Sequence, residues 1–155
     1  MAANILGLCD ALATRITAGL DAPGDATVNR VYIDKQSVPN AAGLQVWVFP
    51  VRDNQTPVTR GEDEWTYEVA VVVTDWYADP APVADDWLDA KKLFAEVKVA
   101  MRMDFTRDTF NFGSPLRRVQ LVPAAERPVY DAEALVAKKL FWWEAVFEFR
   151  ELLTA

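Results

Sequence analysis

Hydrophobic and polar positions change their period several times along the chain, and each change marks an element. Ile5, Leu8, Leu12, Ile16 and Leu20 recur three and four residues apart, just after the helix-capping residue Asn4. This spacing predicts a first helix, closed by Gly19 and the turn-rich DAPGD. TVNRVYI, Thr27 to Ile33, then reads as a short strand, and DKQSVPNAAG as a connecting loop. LQVWVFPV, Leu44 to Val51, is a strand with apolar residues on both faces, in which Pro50 marks an end or a sheet edge. RDNQTPVTRGED, Arg52 to Asp63, predicts a polar loop, because it is rich in turn formers and too long for a tight hairpin.

The second half of the chain carries the strongest patterns. EWTYEVAVVVTDWYA, Glu64 to Ala78, alternates as a long strand, with Trp65, Tyr67, Val69, Val71 and Val73 on one face. Its other face, Glu64, Thr66, Glu68, Ala70, Val72, Thr74 and Trp76, begins polar and becomes apolar. DPAPVADDWLDAKKLFAEVKVAMRM switches to helical spacing through Trp87, Ala90, Phe94, Val97 and Met101. Asp85, Asp86 and Asp89 near its start, with Lys98 and Arg102 near its end, suit the helix dipole better than a metal site. Asp104 to Arg117 reads as a loop anchored by Phe105, Phe110 and Phe112, RVQLV as a strand, and YDAEALVAK as a turn or short helix.

LFWWEAVFEFREL, Leu140 to Leu152, closes the chain as another long strand. Phe141, Trp143, Ala145, Phe147 and Phe149 make one face wholly apolar. Leu140, Trp142, Glu144, Val146, Glu148 and Arg150 make the other, which starts apolar and ends charged. Such a face needs cover over part of its length, supplied by the same chain or by another. The two long strands share this pattern and are expected to be antiparallel neighbours. The element order predicts an α+β fold: a largely antiparallel or mixed β-sheet with two main α-helices packed on one face, residues 1–155 forming a single domain.

Composition narrows the chemistry. The 155 residues, 52% of them hydrophobic, are enough for one core without disulfide staples. A net charge of -7 argues against a general nucleic-acid binder, which needs clustered Lys and Arg on phosphates. Cys9 is the only cysteine, so no intrachain disulfide forms, and it reads as a small helix filler. The chain contains no histidine, which removes the commonest general base and most zinc sites. The six glycines form neither a P-loop nor a dinucleotide fingerprint. Glu144 and Glu148, flanked by Arg150, read as a solvated or salt-bridged rim rather than a catalytic pair. No cofactor, catalytic residue or metal ligand is expected. The opening residues, interrupted by Asp10 and Arg15 and lacking a basic start, are neither a signal peptide nor a membrane span.

Three places in this pattern, the opening helix, EVAVVVTDWYAD and YDAEALVAKKLFWWEAVFEFRE, resemble the tail terminator (tail completion or tail-to-head joining) proteins of long-tailed bacteriophages. The family's aromatic, Asp and Glu-containing turn matches Tyr130, Asp131 and Glu133, and the aromatic and Arg ending its last strand match Phe149 and Arg150. The resemblance implies an α+β subunit of a homo-oligomeric hexamer, a ring on the head-proximal end of the tail tube. Such a ring stops growth of the tail tube protein, meets the head-tail connector, and lets DNA pass without sequence-specific binding. It implies a virion location after assembly in the host cytoplasm, with no catalysis. The segments between Ile33 and Leu44 and between Met103 and Arg118 are longer than in smaller members, which keeps a neighbouring neck protein open as an alternative. A small acidic enzyme or ligand-binding domain, with a pocket between sheet and helices, is the reading from a different class.

A ring requires apolar surface beyond the protomer's own core. Trp76, Trp142 and Val146, on the less protected faces of the two long strands, are the candidates for a subunit interface, with packing under the same chain as the alternative. Arg52, Asp53, Arg60, Glu62 and Asp63 place charges of both signs on the polar loop, for contact with the tube or a neighbour, with a solvated loop as the alternative.

Overall fold

A computed structural model describes residues 5–20, 26–34, 38–39, 43–59, 61–78, 82–99, 110–111, 118–121 and 129–154. Three strands of 15 residues dominate it: β2 (Gln45–Thr59), β3 (Glu62–Trp76) and β7 (Leu140–Thr154). Four short strands join them: β1 (Thr27–Asn29), β4 (Phe110–Asn111), β5 (Arg118–Leu121) and β6 (Val129–Tyr130). The sheet order is β1-β2-β3-β7-β5-β4, with β6 also pairing β7. β3 runs antiparallel to both long neighbours, in unbroken register with β7 from Glu62↔Thr154 to Trp76↔Leu140. β1 lies parallel to the start of β2, so the sheet is mixed and the fold is α+β.

Alternation decides the inner face. Val69, Val71 and Val73 of β3 and Phe141, Trp143, Ala145, Phe147 and Phe149 of β7 enter one core with Val46 and Val48 of β2. Each large side chain buried this way contributes about 1.5–3 kcal/mol relative to exposure. Helix α1 (Ile5–Ala18) closes this face with Leu8, Cys9, Leu12, Ala13 and Ile16, and the Gly19 N–H ends it by donating to the Ile16 carbonyl at 3.0 Å. Asn4, Met101, Phe105 and Phe112 lie outside the described residues.

Helix α2 (Asp85–Leu93) covers the same face through Trp87 and Leu88, but its continuation departs from the predicted stripe. From Phe94 to Val99 the backbone winds as a π-helix. The wider turn rotates the inward positions, so Ala95 and Val99 are buried and Val97 is exposed. Lys91 of α2 pairs with the buried Asp75 of β3 at 2.9 Å, tying the helix to the sheet.

The predicted loop from Arg52 to Asp63 is corrected to a β-hairpin. β2 continues through Arg52 and Asp53 to Thr59, and β3 begins at Glu62 and Asp63, with Thr59 opposite Glu62. Gly61, at φ +102, supplies the left-handed turn conformation between them. Arg60 lies outside the described residues. The misreading has a physical reason: from Val51 to Gln55 the strand is exposed on both faces and needs no apolar alternation, so its polar residues look like loop. Of the two readings of Pro50, the sheet edge holds and the strand end does not. β2 passes it with a bulge between Pro50 and Arg52, on an edge where a missing N–H is tolerated.

The outer face carries a second, smaller core of Ile33, Trp47, Phe49, Ala70, Val72, Ala134, Leu140 and Trp142. The Trp47 Nε1–H donates to the buried Thr74 hydroxyl at 3.0 Å, which satisfies both polar groups. Helix α3 (Ala132–Lys138) covers part of this face. Asp131 caps it by accepting from the Ala134 N–H at 3.0 Å, and Lys139, at φ 56, ends it.

Candidate interaction surface

Rows of cross-strand neighbours divide the outer face of the sheet into zones. The first zone is apolar and covered. Trp142 is 4% exposed, and its Nε1–H donates to Glu144 Oε2 at 3.1 Å. Trp76 is half-buried, and its Nε1–H donates to the Pro39 carbonyl at 2.9 Å. The expectation that Trp142 is surplus surface is therefore corrected, while Trp76 keeps part of its area exposed. Trp142 offers no area to a neighbour and Trp76 only part of its own, because α3 and the segment holding Ile33 and Val38 fold over them. Periodicity along β7 identifies the face but not which distant segment lies on it.

The second zone is the row Phe49, Ala70 and Val146. Val146 is 41% exposed, as its candidate role requires. At the Phe49 end of this row, Tyr32 stands 73% exposed with its ring edge-on to Phe49, centroids 5.1 Å apart. Tyr32 was missed in the sequence because TVNRVYI reads as strand, whereas β1 stops at Asn29 and leaves the tyrosine on a connecting segment.

The third zone is charged. Arg52, Glu68 and Glu148 form one row, in which the Arg52 guanidinium holds Glu68 through two bonds, Nη2 to Oε1 at 2.6 Å and Nε to Oε2 at 3.1 Å. The hydrogen bond to Glu68, and then its charge, raise the Arg52 pKa above the ordinary value. Arg150 Nε lies 3.2 Å from Glu148 Oε1 and 3.9 Å from Glu64 Oε1. The two glutamates Glu144 and Glu148 thus join an indole and an arginine, as a bonded rim. Exposed pairs of this kind set strand register and local charge more than stability.

The inner face has its own features at this end of the sheet. Asp53 lies opposite Tyr67, and Gln55 donates through Nε2 to Asp63 Oδ2 across the hairpin. Glu151 is buried there, opposite Trp65. It continues the parity of Phe141 to Phe149, the one signal that could have found it. In the helix layer, Leu93 and Val97 are 62% and 43% exposed. Asp131 caps α3 and Phe149 is core, while Arg150 belongs to the charged rim.

No described helix is long and apolar enough to cross a membrane. No protein-family model and no curated protein matches the chain.

Proposed function

We propose that this chain is a noncatalytic virion subunit that forms a ring, a hexamer, at the head-proximal end of a phage tail. There the ring stops polymerisation of the tail tube protein and presents a surface to the head-tail connector. One observation carries the reading: large apolar side chains stay exposed in two different layers of the subunit, Tyr32 and Val146 with the sheet and Leu93 and Val97 with the helices. A closed cyclic ring joins subunits head to tail, and so requires two different surfaces on each. Val146 is the interface candidate we retain, with Tyr32 added to it, while Trp76 and Trp142 belong to the outer core. The β2–β3 hairpin, with Arg52, Asp53 and Asp63, faces the tube or a neighbour and matches it by charge. The acidic balance of the chain suits a passage through which DNA slides without being gripped.

The test is imaging of the purified protein by negative stain, alone and with tubes made of the tail protein encoded beside it, together with light scattering. Rings, free or seated on one tube end, are the expected result. Val146→Asp and Leu93→Asp each abolish them, since either charge strands one half of the contact. A chain that stays monomeric at all concentrations, caps no tube and has no tail genes as neighbours overturns the reading.

A further inference from the structure

β2 has one open flank. β1 pairs with it only from Gln45 to Trp47, so among the described residues no strand covers the edge from Val48 to Thr59. Such an edge offers free N–H and C=O groups to any strand that arrives, and a second copy brings an identical edge.

Where β1 stops, Arg30 takes its place. Its Nη1 donates to the Val48 carbonyl at 2.6 Å, its Nε to Asp10 Oδ1 at 2.7 Å, and its Nη2 to the Leu6 carbonyl at 3.4 Å. The preceding Asn29 donates through Nδ2 to the Val46 carbonyl at 3.3 Å. Alternate residues of a strand turn their backbone groups to the same edge, so beyond Val46, which β1 covers, Val48 and Pro50 are the first positions to face the open side. Of these two, the Val48 carbonyl is occupied by Arg30, and Pro50 has no N–H to give. The bulge after Pro50 then bends the edge away from a flat partner.

We propose that Arg30, anchored by Asp10, is an edge guard: it blocks pairing of β2 with the β2 edge of a second copy. This contact runs along the sheet edge and is independent of the ring, which uses the faces.

The test is Arg30→Ala, made in the full chain carrying Val146→Asp so that ring contacts do not mask the result, and read by analytical ultracentrifugation. The expected outcome is a dimer forming at a concentration about tenfold lower than in the Arg30 parent, the effect of freeing one charge-assisted backbone contact. Adding Val51→Lys, at an exposed position beside the bulge, returns the parent behaviour, because a charge on the edge repels edge pairing. A folded Arg30→Ala chain, with unchanged near-ultraviolet circular dichroism, that associates no more than its parent overturns the proposal. So does association that Val51→Lys leaves untouched. Should Arg30→Ala fail to fold, Asp10→Ala is read in the same assay, since Asp10 is exposed and only anchors the guanidinium. An unchanged dimer concentration there also overturns it.

Discussion

Trp142 and Val146 stand two pleats apart on the same face of β7, yet their surroundings give them different tasks. The indole lies within the outer core, so Trp142→Ala is expected to lower the unfolding free energy by about 3–5 kcal/mol in urea melts. Val146 borders solvent, and Val146→Asp is expected to change the same quantity by less than about 1 kcal/mol while it abolishes ring formation. Equal losses of stability in the two variants would contradict this division. Cys9 makes a second residue-scale case. Burial pushes its thiol from 9.0 up to about 11, against a smaller opposing effect of the Arg30 charge. The native thiol is therefore expected to react with a maleimide dye far more slowly than the unfolded one at pH 8. Between pH 9 and 11 the unfolded chain releases this proton while the folded chain keeps it. Stability falls with rising pH across that window, and Cys9→Ala flattens the slope.

At the scale of elements, α2 depends on one buried ion pair as well as on its apolar side. Lys91 reaches Asp75 at 2.9 Å and lies 5.5 Å above the Trp87 ring, which itself meets Phe141 edge-on. Lys91→Met strands the Asp75 charge in the core and is expected to cost about 3 kcal/mol at pH 7. Adding Asp75→Leu removes the stranded charge and is expected to restore most of that loss. If the double variant is as weak as the single one, the pair does not hold the helix. The helices α1 and α2 and the faces of β3 and β7 were legible in the sequence, because each repeats one period over many residues. The hairpin between β2 and β3 was not. Arg52 and Gln55 find partners across the strands, in Glu68 and Asp63, and such pairing leaves no trace in local spacing. The π-helical turn after Leu93 was hidden for a related reason: a change of winding resets which residues face inward, and only the packing against the sheet reveals it.

Viewed as a whole molecule, the sheet is sealed on both faces at one end and uncovered on its outer face at the other. Helices α1 and α2 close the inner face, while α3 and the segment after β1 close only the end of the outer face that holds Trp142 and Leu140. Among the described residues, Val146, Tyr32, Leu93 and Val97 stay exposed to other molecules, as do Leu6, Val31, Val51 and Val136. The ring experiment belongs to this scale, since it asks whether the surfaces at Val146 and at Leu93 meet between subunits rather than how either one folds.

The amino-acid order alone determined that β3 and β7 each have one apolar face and one that changes along its length. Side chains alternate across a strand whatever surrounds it, so that division is local. The tertiary structure alone decided which part of the changing face meets water, because the cover comes from α3 and from Ile33 and Val38, far away in the chain. Burial is a property of contacts between distant segments, and no period within one segment encodes it.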